Sequence, residues 1–275
     1  MTQTFGDVRW RTLGDAGKPP VVLCHGTPFS SYVWRAVARS LARHYEVFLW
    51  DMPGYGASAQ YDGQDVSLAA QGQVFASLLD HWGLESPLVV AHDFGGAVSL
   101  RAHLLHGARY RALALVDPVA LAPWGSPFFR LVGQHAPVFE QLPPALHRAL
   151  VREYVSSASA KGLHPDVLDQ LVAPWLGEAG QGAFYRQIAQ SDQRFTDEVQ
   201  PRYPEIDIPV LICWGEEDTW IPIAKGRELA ELIPGARFEL IADAGHLVQE
   251  DAPAELTTAL LDFLAANRFR VPGGG

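Results

Sequence analysis

Leu88-Val89-Val90-Ala91-His92-Asp93-Phe94-Gly95-Gly96 is the stretch on which the fold turns. Four aliphatic residues run without a polar interruption, as a strand buried on both faces requires. An acid follows, with small residues on either side of it: Ala91 two positions before, Gly95 and Gly96 after. The chain then continues with helical periodicity through Gly95–His106. A strand that passes straight into a helix needs a tight turn, and such a turn leaves no room for side chains two positions from its apex. The apex residue, Asp93, is thereby held out at the top of a sheet, beside a helix N-terminus whose backbone N–H groups have no intrahelical acceptor. Taken alone, Asp93 reads equally well as a helix N-cap, a position that Asp often fills.

The same alternation extends both ways from this stretch. Val21–Cys24, Glu46–Trp50, Pro87–Ala91, Ala112–Val116, Val210–Trp214 and Arg237–Ile241 are short apolar runs that read as strands. Between and after them, Ser31–His44, Val66–Trp82, Gly95–His106, Ile223–Leu232 and Glu255–Ala265 carry the helical repeat. Strands alternating with helices predict an α/β fold, a mostly parallel sheet flanked by helices. The alternation stops between about Leu121 and Tyr203. That stretch is rich in proline (Pro123, Pro127, Pro137, Pro143, Pro144) and has helical patterns at Ala145–Ser156 and Pro165–Leu176 but no convincing strand. It is too long for a structureless loop, so the expected organisation is a core formed by 1–120 and 206–275, with 121–205 inserted as a helical lid.

Composition narrows the function classes. With 275 residues, 48% of them hydrophobic and 19% charged, the chain has material for a real core and is not a disordered segment. The formal net charge of −10 would repel a nucleic-acid backbone, so no nucleic-acid partner is expected. Cys24 and Cys213 each lie in an apolar run without metal-ligand spacing, as buried thiols in a reducing compartment do. The N-terminal stretch lacks the basic and apolar regions of a signal peptide. Nowhere do 18 apolar residues run together, so no membrane span is expected. The expectation is a cytoplasmic protein acting on a small-molecule substrate and water. No dinucleotide or phosphate-loop motif is present, and no cofactor is expected. A homodimer is an open option, because the sequence does not read the oligomeric state. Gly273-Gly274-Gly275 reads as a frayed tail.

The turn around Asp93 resembles the nucleophile elbow of the α/β-hydrolase fold, with an aspartate where serine would stand. That substitution is similar to the epoxide hydrolase and haloalkane dehalogenase branch. Other motifs fall in the order that the fold requires. His25-Gly26-Thr27-Pro28 resembles the oxyanion loop, and Asp51-Met52-Pro53-Gly54-Tyr55-Gly56-Ala57-Ser58 the turn that follows the next strand. Trp214-Gly215-Glu216-Glu217-Asp218 resembles the acid loop and Ala244-Gly245-His246 the base loop. The resemblance implies Asp93 as nucleophile, His246 as base, Asp218 as the acid that orients it, and the backbone N–H groups of Thr27 and Phe94 as oxyanion donors. Asp117, at the end of the following strand, is an alternative acid, since some dehalogenases of the family carry theirs there. His25 and His92 read as structural neighbours. No ligand spacing joins His25, His92, Asp93 and His246, so no metal is expected.

An aspartate nucleophile changes the reaction. A carboxylate attacking an acyl carbon would form an anhydride; attacking a saturated carbon with a leaving group, it forms an ordinary ester. His246 would then activate the water that hydrolyses this ester. The leaving group separates the readings. An epoxide oxygen departs as a strong base and needs a proton donor, whereas a halide needs only N–H dipoles. Phe184-Tyr185-Arg186 resembles the lid Tyr-Arg pair of epoxide hydrolases, which makes Tyr185 the candidate donor. Tyr154 is the nearest second lid tyrosine, with His135 or His147 as substitutes. The halide-binding Trp and Asn of haloalkane dehalogenases are absent, Phe94 and Thr27 standing in their places; only Trp124, Trp175 or Trp220 could supply an indole N–H. Tyr154, Trp220 and Trp124 are the expected substrate-binding residues. The leading expectation is therefore hydrolysis of a small hydrophobic epoxide to a diol. The runner-up is haloalkane or haloacid dehalogenation by the same Asp93, followed by other hydrolysis on this scaffold. The same fold also serves as a non-catalytic small-molecule binder.

Overall fold

Two short strands that the sequence reading did not pick out begin the fold in a computed structural model of the chain, which describes residues 3–269. They are β1 (Gln3–Phe5) and β2 (Val8–Leu13), paired antiparallel. In β2, Val8 and Trp10 are buried while Arg9 is exposed, the period-two pattern of a strand with one face in water. The interspersed charges hide this pattern from a search for continuous apolar runs. The six expected strands follow as β3 (Pro20–Cys24), β4 (Glu46–Asp51), β5 (Leu88–His92), β6 (Ala112–Val116), β7 (Val210–Gly215) and β8 (Arg237–Ile241). The three closing glycines lie outside the described residues.

All eight strands form one sheet in the order β1-β2-β4-β3-β5-β6-β7-β8, antiparallel at its β1–β2–β4 edge and parallel from β4 to β8. The strands β5, β6 and β7 are buried along their whole length, because helices cover both faces. These are α1 (Arg35–Leu41), α2 (Leu68–His81) and α3 (Phe94–Leu105), then α4 (Pro127–Phe139), α5 (Pro144–Ser156), α6 (Pro165–Val172), α7 (Gly177–Ala189) and α8 (Arg194–Asp197), and finally α9 (Ile223–Leu232), α10 (Val248–Asp251) and α11 (Pro253–Asn267). Within the core, α2 packs on α3 and α1 on α11. Among the described residues no helix is long and apolar enough to cross a membrane.

The order of strands reverses about β3. Its crossover leads to β4 on one side, and that of β4 leads to β5 on the other. In open parallel sheets the crevice beyond the carboxyl ends of strands at such a switch point is where ligands bind. The loop after β3 and the turn after β5 therefore meet at this position.

No strand lies between β6 and β7; α4 to α8 occupy that interval. In α4 the helix kinks at His135 (φ −133°, ψ 27°) ahead of Pro137, whose ring removes a backbone donor and clashes with the preceding turn. Polar contacts tie this helical segment to the core. The buried Arg101 of α3 donates to the Phe195 carbonyl at 2.5 Å and to Glu198 at 2.8 Å. The Trp175 indole donates to the Pro28 carbonyl at 2.7 Å, and Arg186 to Asp62 at 2.8 Å.

Candidate active site

Asp93 stands at the apex of the turn from β5 to α3, with φ 50° and ψ −117°. A non-glycine residue with this backbone is strained by about 1–3 kcal/mol and persists only where its surroundings enforce it. The surroundings are tight. A Cβ on Gly95 would lie 2.6 Å from the His25 carbonyl oxygen, and one on Gly26 would lie 2.4 Å from the Asp93 Cβ. Although Asp93 occupies the N-cap position of α3, its side chain makes no capping bond, which removes the N-cap reading. Its carboxylate turns instead to the loop after β3, where the Thr27 N–H donates to Oδ1 at 2.7 Å. Phe94 opens α3 directly behind it, in the first turn, where N–H groups lack intrahelical acceptors.

The oxyanion-type loop is held from below. Asp51 accepts the Ser31 N–H on one oxygen at 2.7 Å and the Ala57 N–H on the other at 2.9 Å. His25 accepts the Met52 N–H on Nε2 at 3.0 Å, so its Nδ1 donates to the Gly26 carbonyl at 2.9 Å. Burial lowers the pKa of His25; the ring is a neutral brace between the two loops.

His246 Nε2 lies 3.4 Å from Asp93 Oδ2 without a hydrogen bond, while its Nδ1–H donates to Asp218 Oδ2 at 2.9 Å. Asp218 Oδ1 accepts the N–H groups of Trp220 at 2.7 Å and Ile221 at 3.0 Å. Burial works against the His246 imidazolium, but the charge and hydrogen bond of Asp218, joined by Asp93, raise its pKa well above the usual histidine value. Burial likewise opposes the Asp218 carboxylate, and His246 with the two backbone donors outweighs it and lowers the pKa. His92 packs on His246 with ring centres 4.8 Å apart and donates Nε2–H to the His246 carbonyl at 2.9 Å. Burial brings His92 down to about 3, so it supports the base loop as a neutral ring.

Asp117 is also here, fully buried at φ 42°, with Oδ1 accepting the Gly215 N–H at 2.9 Å. Ligating atoms of Asp117, Asp218 and His246 lie within 4.8 Å of one another, the one such metal-capable grouping among the described residues. The His246 Nδ1 and both Asp218 oxygens already have hydrogen-bond partners, so the trio is a hydrogen-bonded chain rather than an open ligand set. His25, His92 and Asp93 do not join it.

A small cavity opens over Asp93. Thr27, Asp93 and Phe94 form its sheet side; Trp124, Ser126, Phe129 and Tyr154 come from the helical insertion, and Trp220 and Ile221 from the acid loop. A roomier cleft near Arg9, Arg11 and Gln170 lies away from Asp93. The expected substrate-side residues Tyr154, Trp220 and Trp124 therefore all reach the cavity. Tyr154 stacks on Trp220 at 4.6 Å, and Trp220 stacks on His246 at 4.9 Å. The Tyr154 hydroxyl makes no hydrogen bond within the described residues. Burial, then the charge of Asp93, raises the pKa of this phenol, keeping it protonated. The indole N–H groups are committed elsewhere: Trp124 to Thr196 Oγ1 at 2.8 Å, Trp175 to Pro28, Trp220 to Ser157 Oγ at 3.1 Å.

Tyr185 departs from expectation. It is fully buried and not part of the cavity wall, and its hydroxyl donates to His147 Nδ1 at 2.8 Å. His147 in turn donates from Nε2 to the Trp175 carbonyl at 2.8 Å. Tyr185 lies on the face of α7 that packs against Phe139 of α4 and His147 of α5, which turns it inside the insertion. His147 is committed to the same cluster. The residue of α7 that reaches the Thr27 loop is Gln187, two positions on: the Thr27 hydroxyl donates to its Oε1 at 2.7 Å and the Tyr55 hydroxyl at 3.0 Å. Nothing in the sequence marked Gln187; Tyr55 lay in a motif already singled out, but as a turn residue.

The comparisons with known proteins agree with this architecture. The alpha/beta hydrolase fold family matches residues 19–253. An alpha/beta hydrolase fold protein from Burkholderia ambifaria is 50% identical, with a TM-score of 0.91 over 95% of this chain and 97% of the other. Epoxide hydrolase A of Mycobacterium tuberculosis is 27% identical over 96% of each chain. Haloalkane dehalogenase DbeA from Bradyrhizobium elkani shares the fold at a TM-score of 0.79, with 20% identity and 97% of each chain covered. With the elbow, the loops around it and this match over most of its length, the chain belongs to the alpha/beta hydrolase fold family.

Proposed function

We propose that the protein opens a small hydrophobic epoxide to a diol through a covalent ester on Asp93. The observation that carries this reading is the Tyr154 hydroxyl. It is protonated, without a hydrogen-bond partner among the described residues, and on the wall of the same cavity as Asp93, while the indole N–H groups of Trp124, Trp175 and Trp220 are committed to other acceptors. A phenol is suited to a departing alkoxide; a halide would need indole N–H groups, and these are committed to other acceptors. The relationship to epoxide hydrolase A of Mycobacterium tuberculosis points the same way.

Asp93 Oδ1 is held by the Thr27 N–H, which leaves Oδ2 to attack the less hindered ring carbon in line. The C–O bond of the ring breaks, and Tyr154 gives its proton to the leaving oxygen. Esterification removes the charge of Asp93, one of the influences that keep His246 protonated, and the imidazolium proton passes to the Tyr154 phenolate. The neutral imidazole, oriented by Asp218, then takes a proton from water, and the hydroxide adds to the ester carbonyl carbon. The Thr27 and Phe94 N–H groups stabilise the oxyanion, the second at a helix N-terminus. Collapse breaks the ester C–O bond, the departing diol oxygen takes the proton of the added hydroxyl, and the Asp93 carboxylate is restored with His246 protonated as at the start. Phe94, Phe129, Trp124 and Trp220 around the cavity favour an apolar substituent.

The test pairs two assays. Diol from a styrene-oxide-type substrate without bromide from short bromoalkanes is the expected result; bromide without diol would establish dehalogenation instead, and neither would leave a binder. His246→Gln should accumulate a mass adduct on Asp93 during turnover. Activity with no adduct, or an adduct elsewhere, refutes the covalent route.

A further inference from the structure

We infer that Asp117 is a neutral carboxylic acid that donates its proton to the Asp218 carboxylate, and that it acts as a positioning residue setting the basicity of the Asp218–His246 pair. Three carboxyl groups and one imidazole share a single buried volume: Asp93 is 3% exposed, Asp117 0% and His246 1%, and the Asp218 side chain is covered completely. Were all three acids ionised, even a protonated His246 would leave two uncompensated negative charges on side chains that are almost wholly buried. One acid must carry a proton, and the donors identify it.

Asp218 receives two backbone N–H groups on Oδ1 and the imidazole N–H on Oδ2. Asp93 receives the Thr27 N–H and faces His246. Asp117 has one donor, the Gly215 N–H on Oδ1, and its Oδ2 is buried with no partner among the described residues. An ionised oxygen with no donor is the costliest arrangement a buried carboxylate can adopt. A proton on Oδ2 turns that orphan acceptor into a donor, and a carboxylate oxygen of Asp218 lies within 4.8 Å of one of Asp117.

The electrostatics agree in direction. Burial, followed by the Asp218 charge, pushes the pKa of Asp117 well above the carboxylate range. The charged or titratable groups around Asp117 are Asp218 and His246, with the thiol of Cys213 on β7, itself raised by burial. The left-handed backbone of Asp117 (φ 42°) is a strain kept where the surroundings require it. By donating to Asp218, Asp117 draws charge from that carboxylate and tempers its hold on the His246 proton, which must leave before His246 can act as a base.

The experiment is an NMR titration of the His246 ring in the intact protein. It needs no substrate, so its outcome is independent of the alkyl-ester reading on which the inference builds. Asp117→Asn keeps a neutral N–H donor toward Asp218 and should leave the His246 midpoint unchanged. Asp117→Ala removes the donor and should raise the midpoint by about one pH unit, a tenfold tighter hold on the proton. A midpoint lowered by Asp117→Asn would mean that Asp117 is ionised in the native protein, and one unmoved by Asp117→Ala would mean that it only fills space; either overturns the inference. Should Asp117→Ala fail to fold, the infrared difference between the native protein and Asp117→Asn decides. Loss of a protonated-carboxyl band at neutral pH supports the assignment, and loss of carboxylate bands alone overturns it.

Discussion

Replacing Tyr154 with Phe removes one oxygen from the cavity wall and little else. The ring stays stacked on Trp220 at 4.6 Å and against Phe128 at 5.0 Å. Because the hydroxyl makes no hydrogen bond among the described residues, stability should change by no more than about 0.5 kcal/mol. Chemistry should change far more. General-acid assistance to a leaving group contributes ~10²–10⁴-fold, which at about 1.36 kcal/mol per decade is roughly 3–5 kcal/mol of barrier. The loss falls on the ester-forming step, so the assay is the rate of mass-adduct formation on Asp93 in a His246→Gln background. Tyr154→Phe should slow that rate by at least about 100-fold with the melting temperature unchanged. Tyr185→Phe is the control. Its hydroxyl serves His147, so it should cost about 0.5–1.5 kcal/mol of stability and leave adduct formation nearly intact. Equal adduct rates in Tyr154→Phe and the parent, or a collapse in Tyr185→Phe alone, would refute the assignment of the proton donor.

Asp218→Asn should orient the imidazole wrongly and slow ester hydrolysis by ~10⁴-fold, so that the adduct accumulates on an otherwise native His246; turnover within tenfold of the parent contradicts this. His92 protonates at 6.5 in the unfolded chain but only at about 3 when folded. Below 6.5 the unfolded state therefore binds one more proton, and stability should fall as pH drops to about 3, by up to about 1.36 kcal/mol per pH unit. His92→Gln, which cannot titrate, should flatten that dependence in denaturant titrations by one proton; an identical slope rules the neutral buried imidazole out. Gly26→Ala places a Cβ 2.4 Å from the Asp93 Cβ and should cost about 1–3 kcal/mol by overpacking, together with a slower ester-forming step; an unchanged melting temperature and adduct rate would show that the loop approaches Asp93 less closely.

The legible parts of this chain are those with a local cause. Val89, Val90, Leu113 and Leu211 belong to continuous apolar runs because both faces of their strands are covered, and no other segment type of that length needs such a run. Elbow and loop motifs are legible for a similar reason: a turn that tight admits only small residues around Asp93. The β1–β2 hairpin is not legible as an apolar run because β2 has one wet face and carries Arg9 between the buried Val8 and Trp10. Tyr185 and Tyr154 lie on different helices, and both have a helical setting that brings a tyrosine near the insertion's interior. Which of them faces the cavity depends on how α4, α5 and α7 pack, and helical periodicity in one segment says nothing of its rotation against another.

Sequence alone determined that a bare carboxylate tops a parallel sheet, that an acid and a histidine follow in order, and that a long helical segment interrupts the alternation. Backbone sterics and burial patterns act over a few residues and leave their mark in the order of amino acids. Tertiary structure decided which tyrosine meets Asp93, that the indole N–H groups face other acceptors, and that Gln187 and Tyr55 stand behind Thr27. It also placed Asp117 against Asp218. Contacts between groups 28 to 160 positions apart are set by the close packing of separate elements, and that packing is a property of the assembled fold.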